Sequence, residues 1–280
     1  MRITQRAYGK INWALDVVGR REDGYHELDM LMQTVALSDE LSFESDGALS
    51  LTVRGRPVPS DGRNLVLRAA QALMDYTGRR HGARIHLVKH IPVRAGLGGG
   101  SADCGAALLA LNRLWRLDLP LKTLLQIGGS LGADVPFCMG VGLARVRGVG
   151  ERLLRMEAKQ RFPLVILHPG PGLSTPQVFG QWDRMGQRGL SLSLDQAQSA
   201  LASGDLAAFS RMTGNALEPP AMTLLPEIWQ ARDKLRQLGA VVAQMSGSGS
   251  AVFGAFDNWE KARAAKEVLG YRAILTWTYP

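Results

Sequence analysis

The chain has only two cysteines, Cys104 and Cys138, in 280 residues. So few thiols exclude a disulfide-stapled secreted scaffold and point to a reduced, cytoplasmic protein. No apolar run approaches the roughly 18 residues that a membrane span needs. Met1-Arg2-Ile3-Thr4-Gln5-Arg6 leads straight into structured sequence, without the apolar core of a signal peptide. Aromatic residues make up only 6% of the chain, and the 33 basic residues, against 25 acidic ones, are scattered rather than clustered. The net charge of +8 therefore suits a mild field that draws in small anions, not a nucleic-acid-binding face. There are five histidines, but no metal cluster among them. His86 and His90 are four apart, which suits zinc only on a helix, and they fall in a strand pattern. Ser246-Gly247-Ser248-Gly249 sits between two strands, so it is no serine elbow of a hydrolase. Internal repeats and low-complexity tails are missing too.

What is present is a soluble globular composition, 46% hydrophobic and 21% charged, long enough for one large domain or two ordinary ones. Its most informative stretch is Pro92-Val93-Arg94-Ala95-Gly96-Leu97-Gly98-Gly99-Gly100-Ser101-Ala102-Asp103. Before it, Ala83 to His90 alternates apolar and polar side chains as a half-buried strand does. After it, Ala106, Ala107, Leu108, Ala110, Leu111, Leu114 and Trp115 recur at helical spacing. A glycine-rich loop between a strand and a helix exposes backbone N–H groups beside a helix N-terminus, which carries a partial positive charge. That combination predicts a phosphate seat. It is not a Walker A loop, because it contains no lysine. Nor is it a dinucleotide fingerprint, because Ser101 stands where the third glycine belongs. A plain flexible linker does not sit between a strand and an apolar helix.

The remaining elements follow in order. Lys10 to Val18 reads as a strand with Ile11, Trp13, Leu15 and Val17 on one face and Lys10 and Asn12 on the other. After the charged turn Gly19 to Gly24 come shorter strands at Met30 to Val35, Leu41 to Phe43 and Leu49 to Val53. Asn64 caps a helix to about Tyr76, its inner stripe supplied by Leu65, Leu67 or Arg68, Ala69, Ala72 and Leu73. Another helix runs from Pro120 to Leu131, and strands are expected at Gly142 to Arg147 and Glu151 to Leu154. The lapse in periodicity from Leu154 to Phe162 marks a domain boundary, giving domains 1–156 and 157–280. The second domain reads as a strand at Leu164 to Leu167 and a helix after Ser174. Helices at Leu194 to Leu201, Leu206 to Leu217 and Leu225 to Leu238 follow. Strands flank Ser246-Gly247-Ser248-Gly249-Ser250, Asn258 caps a last helix, and Ala273 to Thr278 makes a last strand. Strands framing helices in this order indicate an open α+β sandwich.

Four segments, Ala7-Tyr8-Gly9-Lys10-Ile11-Asn12, Pro92 to Asp103, Leu131-Gly132-Ala133-Asp134-Val135-Pro136 and Met245 to Phe253, span nearly the whole chain. Their order and spacing resemble the GHMP family of small-molecule kinases. Asp23-Gly24-Tyr25-His26-Glu27-Leu28 resembles the branch whose acceptor carries a cytidyl diphosphate, in isoprenoid precursor biosynthesis. The resemblance implies an α+β fold with an N-terminal domain like the second domain of ribosomal protein S5. A ferredoxin-like C-terminal domain completes it, with the active site in the cleft between. It implies ATP as co-substrate, its phosphates on Pro92 to Ala102, Asn64 and Leu65 near the adenine, and Mg2+ with Ser101 helping to hold it. Magnesium is a hard cation that prefers such oxygen ligands.

Lys10 and Asp134 align with the family's catalytic pair, Asp134 taking the proton of the acceptor hydroxyl and Lys10 stabilising charge on the transferred phosphoryl group. Taken alone, an aspartate before Val-Pro is a turn or cap residue. The resemblance also puts cytosine between Tyr25 and Phe179, with His26 reading its edge and Asn12 and Thr175 as polar contacts. Tyr8-Gly9 stands where many relatives carry Pro-Ala, and Ala102 replaces a second serine found in some. That leaves Ser101 as the only hydroxyl offered to magnesium there. The partner implied is this small molecule, with no nucleic acid and no membrane, and the chain acting as a monomer or weak homodimer. Two alternatives stay open: a kinase of the same family with a mevalonate-like or homoserine-like acceptor, and a non-catalytic nucleotide- or RNA-binding protein on the same fold.

Overall fold

The computed structural model describes residues 2–186, 188–190 and 193–279. The chain begins with β1 (Arg2–Arg20), β2 (His26–Ser45), β3 (Leu49–Gly55), α1 (Leu65–Thr77), β4 (Ala83–Lys89) and α2 (Gly99–Leu114). It continues through α3 (Leu121–Leu131), α4 (Val135–Cys138), β5 (Leu143–Gly148), β6 (Arg152–Met156), β7 (Pro163–Leu167), α5 (Thr175–Arg184) and α6 (Leu194–Ser203). It ends with α7 (Leu206–Ser210), α8 (Glu218–Leu224), α9 (Glu227–Gln237), β8 (Val242–Met245), β9 (Val252–Ala255), α10 (Trp259–Leu269) and β10 (Ala273–Trp277). None of the described helices is long and apolar enough to cross a membrane.

These elements form two compact units that interleave along the chain. One comprises Met1–Gly9, Leu37–Val93 and Gly98–Val141, the other Lys10–Ala36, Arg94–Leu97 and Gly142–Pro280. The interleaving arises because β1 and β2 are long enough to run through both units, where a boundary at 156/157 is a single cut.

In the first unit, β4 pairs antiparallel with Glu40–Ser45 of β2 and parallel with β3. The alternation in β4 sends Ala83, Ile85, Leu87 and Lys89 inward and leaves Arg84 and His86 outward. His86 and His90 are both exposed, and no group of three metal-binding side chains occurs among the described residues. Helix α1 is capped by Asn64, whose Oδ1 accepts from the Val66 N–H at 2.9 Å. Its buried stripe is Val66, Ala69, Ala70 and Leu73. Ala69 and Leu73 are shared with the expected stripe, whereas Leu65, Leu67 and Ala72 are half-buried and Arg68 is exposed. Helix α2 is buried nearly all round, its small residues Gly105, Ala106, Ala107 and Ala110 letting neighbours close in. Cys104 is fully buried there, and burial pushes its thiol up to about 12, so it acts as a small apolar side chain.

In the second unit, Leu28–Gln33 of β2 pairs with β5, and β5 with β6. A separate four-stranded sheet has the order β10-β7-β9-β8. Trp13 is fully buried at the centre of this unit. It meets Phe162, Phe209 and Phe253 edge-on at centroid distances of 5.8, 5.4 and 5.4 Å. Its indole N–H donates to Gln33 Oε1.

Two expected elements differ. The strands read at Met30 to Val35 and Leu41 to Phe43 are parts of the single strand β2. The helix read from Leu206 to Leu217 stops at Ser210. Past it the chain pairs with β1, since Leu15 N–H donates to Gly214 O and Ala216 N–H donates to Leu15 O, at 3.0 and 2.8 Å. Those bonds compete directly with helix continuation.

Candidate active-site residues

The glycine-rich stretch follows β4 and enters α2 through left-handed positions at Arg94, Gly96 and Gly98, with φ of 54, 74 and 68°. Gly98 is the N-cap residue of α2, and no side chain caps the helix. The first helical bond runs from Ala102 N–H to Gly98 O at 2.8 Å. The amides of the first turn therefore have no side-chain acceptor of the kind Asn64 supplies to α1. Gly100 is exposed and Ser101 half-buried, so this end of the helix faces outward. Leu65 lies against it, its Cδ1 3.5 Å from where a Cβ on Gly100 would be. Asn64, Leu65, Gly98, Gly99, Gly100, Ser101, Ala102, Pro92 and Val93 all belong to the first unit, as does Asp134.

Asp134 occupies the N-cap position of α4, with Pro136 in that helix's first turn, yet its side chain makes no capping bond. A cap role, the ordinary reading of an aspartate in this context, is thus not what its carboxylate does. It is half-buried.

A buried ionic cluster near this helix terminus was not singled out from sequence. Lys89 is 3% exposed and pairs with Asp39 and, at 2.6 Å, with Asp103 in the first turns of α2. Asp39 also accepts from the backbone N–H groups of His90 and Ile91, at 2.5 and 2.8 Å. The cluster ties the end of β4, the start of the loop and the start of α2 together. Burial pushes the Asp103 carboxyl up to about 8, against the pull of the Lys89 ammonium. The available signal was parity: Lys89 shares the inward register of Ala83, Ile85 and Leu87.

The second unit holds Lys10, Asn12, Tyr25, His26, Arg94–Leu97, Thr175 and Phe179. Lys10 and Asn12 are 3% and 1% exposed, so the polar face of β1 is not solvated. Lys10 Nζ donates to Asn12 Oδ1 at 2.7 Å. The strand is stitched to two loops. Lys10 N–H donates to Leu97 O at 2.9 Å, and Asn12 N–H donates to Ser246 Oγ at 3.2 Å. Ser246 Oγ in turn donates to Gly96 O at 2.9 Å, and Ala251 N–H to Ala95 O at 3.0 Å. Gly247 lies so close that a Cβ there would sit 3.3 Å from both Lys10 Nζ and Asn12 Oδ1. Buried Asn215, which sequence reasoning also missed, donates to Met245 O and Gly247 O at 2.9 and 2.8 Å. Thr175 at the start of α5 shares a 2.7 Å hydrogen bond with Ser248.

The turn before β2 is preformed as well. Tyr25 N–H donates to Asp23 Oδ1 at 3.1 Å, and Gly24 between them adopts φ of 86°. Tyr25 is left 65% exposed, whereas His26 is buried and stacks on Phe179 at 4.7 Å between centroids. One face of Phe179 is thus covered by His26.

Comparison with known proteins sets this architecture in a family. Residues 64–142 match the model described as GHMP kinases N terminal domain, and residues 197–273 match GHMP kinases C terminal. The chain belongs to the GHMP kinase family, and its two-sheet α+β architecture is that family's fold. Among its relatives is the 4-diphosphocytidyl-2-C-methyl-D-erythritol kinase of Pelotomaculum thermopropionicum, 44% identical over 94% of this chain and 92% of the relative. The protein of the same name from Brucella abortus is 40% identical over 99% and 96%. A crystal structure of 4-(cytidine 5'-diphospho)-2C-methyl-D-erythritol kinase superposes with a TM-score of 0.85 at 38% identity. It covers 99% of this chain and 100% of that one.

Proposed function

We propose that this chain transfers the γ-phosphoryl group of ATP to the 2-hydroxyl of 4-diphosphocytidyl-2-C-methyl-D-erythritol, a step in isoprenoid precursor biosynthesis. The observation that carries the reading is the start of α2, a helix N-terminus without a side-chain cap at the end of a glycine-rich loop. The phosphates rest on Pro92 to Ala102, held by backbone N–H groups other than that of Ala102, which bonds Gly98 O, and Asn64 and Leu65 lie beside the adenine. Arg94 adds the loop's one formal charge.

Asp134 accepts the proton of the acceptor hydroxyl as the oxygen closes on phosphorus. Lys10 orients that carboxylate and offsets charge building on the transferred group. Phosphoryl transfer is mostly positioning and electrostatics, so these roles suffice without a covalent intermediate. The cytosine rests between Tyr25 and Phe179, His26 reads its edge, and Asn12 and Thr175 contact the acceptor. Stacking on an aromatic is worth about 1–3 kcal/mol per base in nucleic-acid sites, enough to favour a cytidyl ligand.

Mg2+ fits the donor set. The described residues offer no carboxylate cage for a metal, and Ser101 Oγ stands near the first turn of α2, 3.8 Å from where a Cβ on Gly132 would lie. Such a site suits an ion that is carried largely by phosphate oxygens and water, with one hydroxyl from the protein. When bound, it neutralises charge on the phosphates. In this reading residues 1–156 form the ATP-binding domain and 157–280 the C-terminal domain. The enzyme works in the cytoplasm as a monomer or weak homodimer. Phosphorus NMR of the reaction mixture tests the assignment: one new phosphomonoester per ADP, on the tertiary alcohol, is expected. An ester elsewhere, or ADP without an ester, contradicts it.

A further inference from the structure

Helix α5 presents Phe179, Trp182 and Asp183 at i, i+3 and i+4, hence on one face. All three meet the His26 imidazole. Phe179 stacks on it with planes 18° apart, Trp182 meets it edge-on at 5.3 Å, and Asp183 Oδ1 lies 2.8 Å from Nε2. The ring is buried, so its orientation is set by this face and not by water. A carboxylate only accepts, so Nε2 carries the proton, and in the neutral ring Nδ1 becomes the acceptor.

We infer that Asp183 is a positioning residue: by holding the proton on Nε2 it makes His26 an acceptor toward the base, and so selects a cytidyl over a uridyl acceptor. This inference rests on the cytidyl reading given above. Cytosine presents an exocyclic amino donor where uracil presents a carbonyl. An Nδ1 lone pair pairs with the first and faces the second lone pair to lone pair. A site built to hydrogen-bond one group discriminates strongly against an isostere that cannot answer it. The aspartate acts through histidine, and its own contact with the substrate is not required.

Two measurements on the whole enzyme test this. Nitrogen NMR of the labelled His26 ring is expected to find the proton on Nε2 in the wild type and a tautomer mixture in Asp183→Ala. In the same variant, the ratio of kcat/KM for the cytidyl acceptor over its uridyl counterpart should fall at least about tenfold. The fall should come through KM of the cytidyl acceptor, with kcat within about threefold, because no reacting atom is touched. A merely structural role lowers both substrates alike and leaves the ratio unchanged. An unchanged ratio or an unchanged tautomer in a folded variant overturns the inference. If Asp183→Ala does not fold, the wild-type spectrum decides alone: a proton on Nδ1 overturns the inference and one on Nε2 supports it. Should the wild type fail to phosphorylate the cytidyl acceptor, the cytidyl reading falls instead, and the spectrum still tests the hold of Asp183 on His26.

Discussion

The two glycine-rich loops use the same residue for opposite ends. In Ser246 to Ser250 the hydroxyls and several backbone groups are bonded within the protein. Gly249 N–H donates to Ser246 O, Asn215 takes the carbonyls of Met245 and Gly247, and the hydroxyls of Ser246 and Ser248 are bonded. Glycine there permits close approach, as at Gly247 against Lys10 and Asn12. In Gly96 to Ala102 the glycines lead into a helix that no side chain caps. A loop whose groups are bonded internally shapes a site, whereas one that presents helix-terminal amides receives a ligand. Sequence composition alone does not separate the two cases.

The sharpest way to separate binding from chemistry leaves both loops intact. Asp134→Asn is expected to lower kcat by about 10²- to 10⁴-fold, the usual worth of a positioned base, with ATP affinity retained. Single-turnover kinetics and nucleotide titration check this together, and near-normal turnover removes Asp134 from the mechanism.

Beneath the receiving loop, Lys89→Met leaves the buried Asp39 and Asp103 pair without its shared cation and should lower stability by about 3–5 kcal/mol, read from urea midpoints. The same cluster gives a pH signature. Folded protein retains the Asp103 proton to about pH 8, whereas the unfolded chain releases it near 3.8. The folded state thus binds the extra proton between those values. This contribution is fully present below pH 3.8 and is lost as pH rises toward 8. Asp103→Asn should flatten that slope, and a slope left unaltered assigns it to other groups.

Gly96 joins the two loops, and a side chain there is blocked twice. Its φ of 74° is left-handed, and a Cβ would fall on the Ser246 carbonyl. Gly96→Ala should cost about 10²-fold in kcat/KM for ATP, the scale of a displacement of about 1 Å in a reacting group. The smallest effect belongs to the self-contained loop. Asn215→Ala leaves the Met245 and Gly247 carbonyls short of a donor and should cost about 1–3 kcal/mol of stability. If it abolished ATP binding without loss of stability, the contrast between the loops would break.

Much of this was legible from the chain, and what was missed has physical causes. The strand, glycine loop and helix around Gly98, and the caps Asn64 and Asn258, depend on local chemistry, and the structure contains them. Strand β2 was read as two pieces because Ser38-Asp39-Glu40 interrupts its apolar run. Asp39 is there as the buried partner of Lys89, fifty residues away, a fact no local pattern carries. The break after Ser210 has the same origin, since pairing of Gly214 and Ala216 with Leu15 overrides helical periodicity. The cluster at Lys89 and the hold of Asp183 on His26 join residues distant in sequence. By contrast, Lys10, Asp134 and the cytidyl contacts were reached through resemblance, because a lone lysine on a strand or an aspartate before proline has commoner explanations.

The central claim is tested most directly by a coupled ADP-release assay run with 4-diphosphocytidyl-2-C-methyl-D-erythritol, mevalonate, homoserine or no acceptor, each with and without Mg2+. Magnesium-dependent ADP formation with the cytidyl alcohol alone is the predicted result. Equal rates with mevalonate or homoserine, or ADP release indifferent to any acceptor, would contradict it.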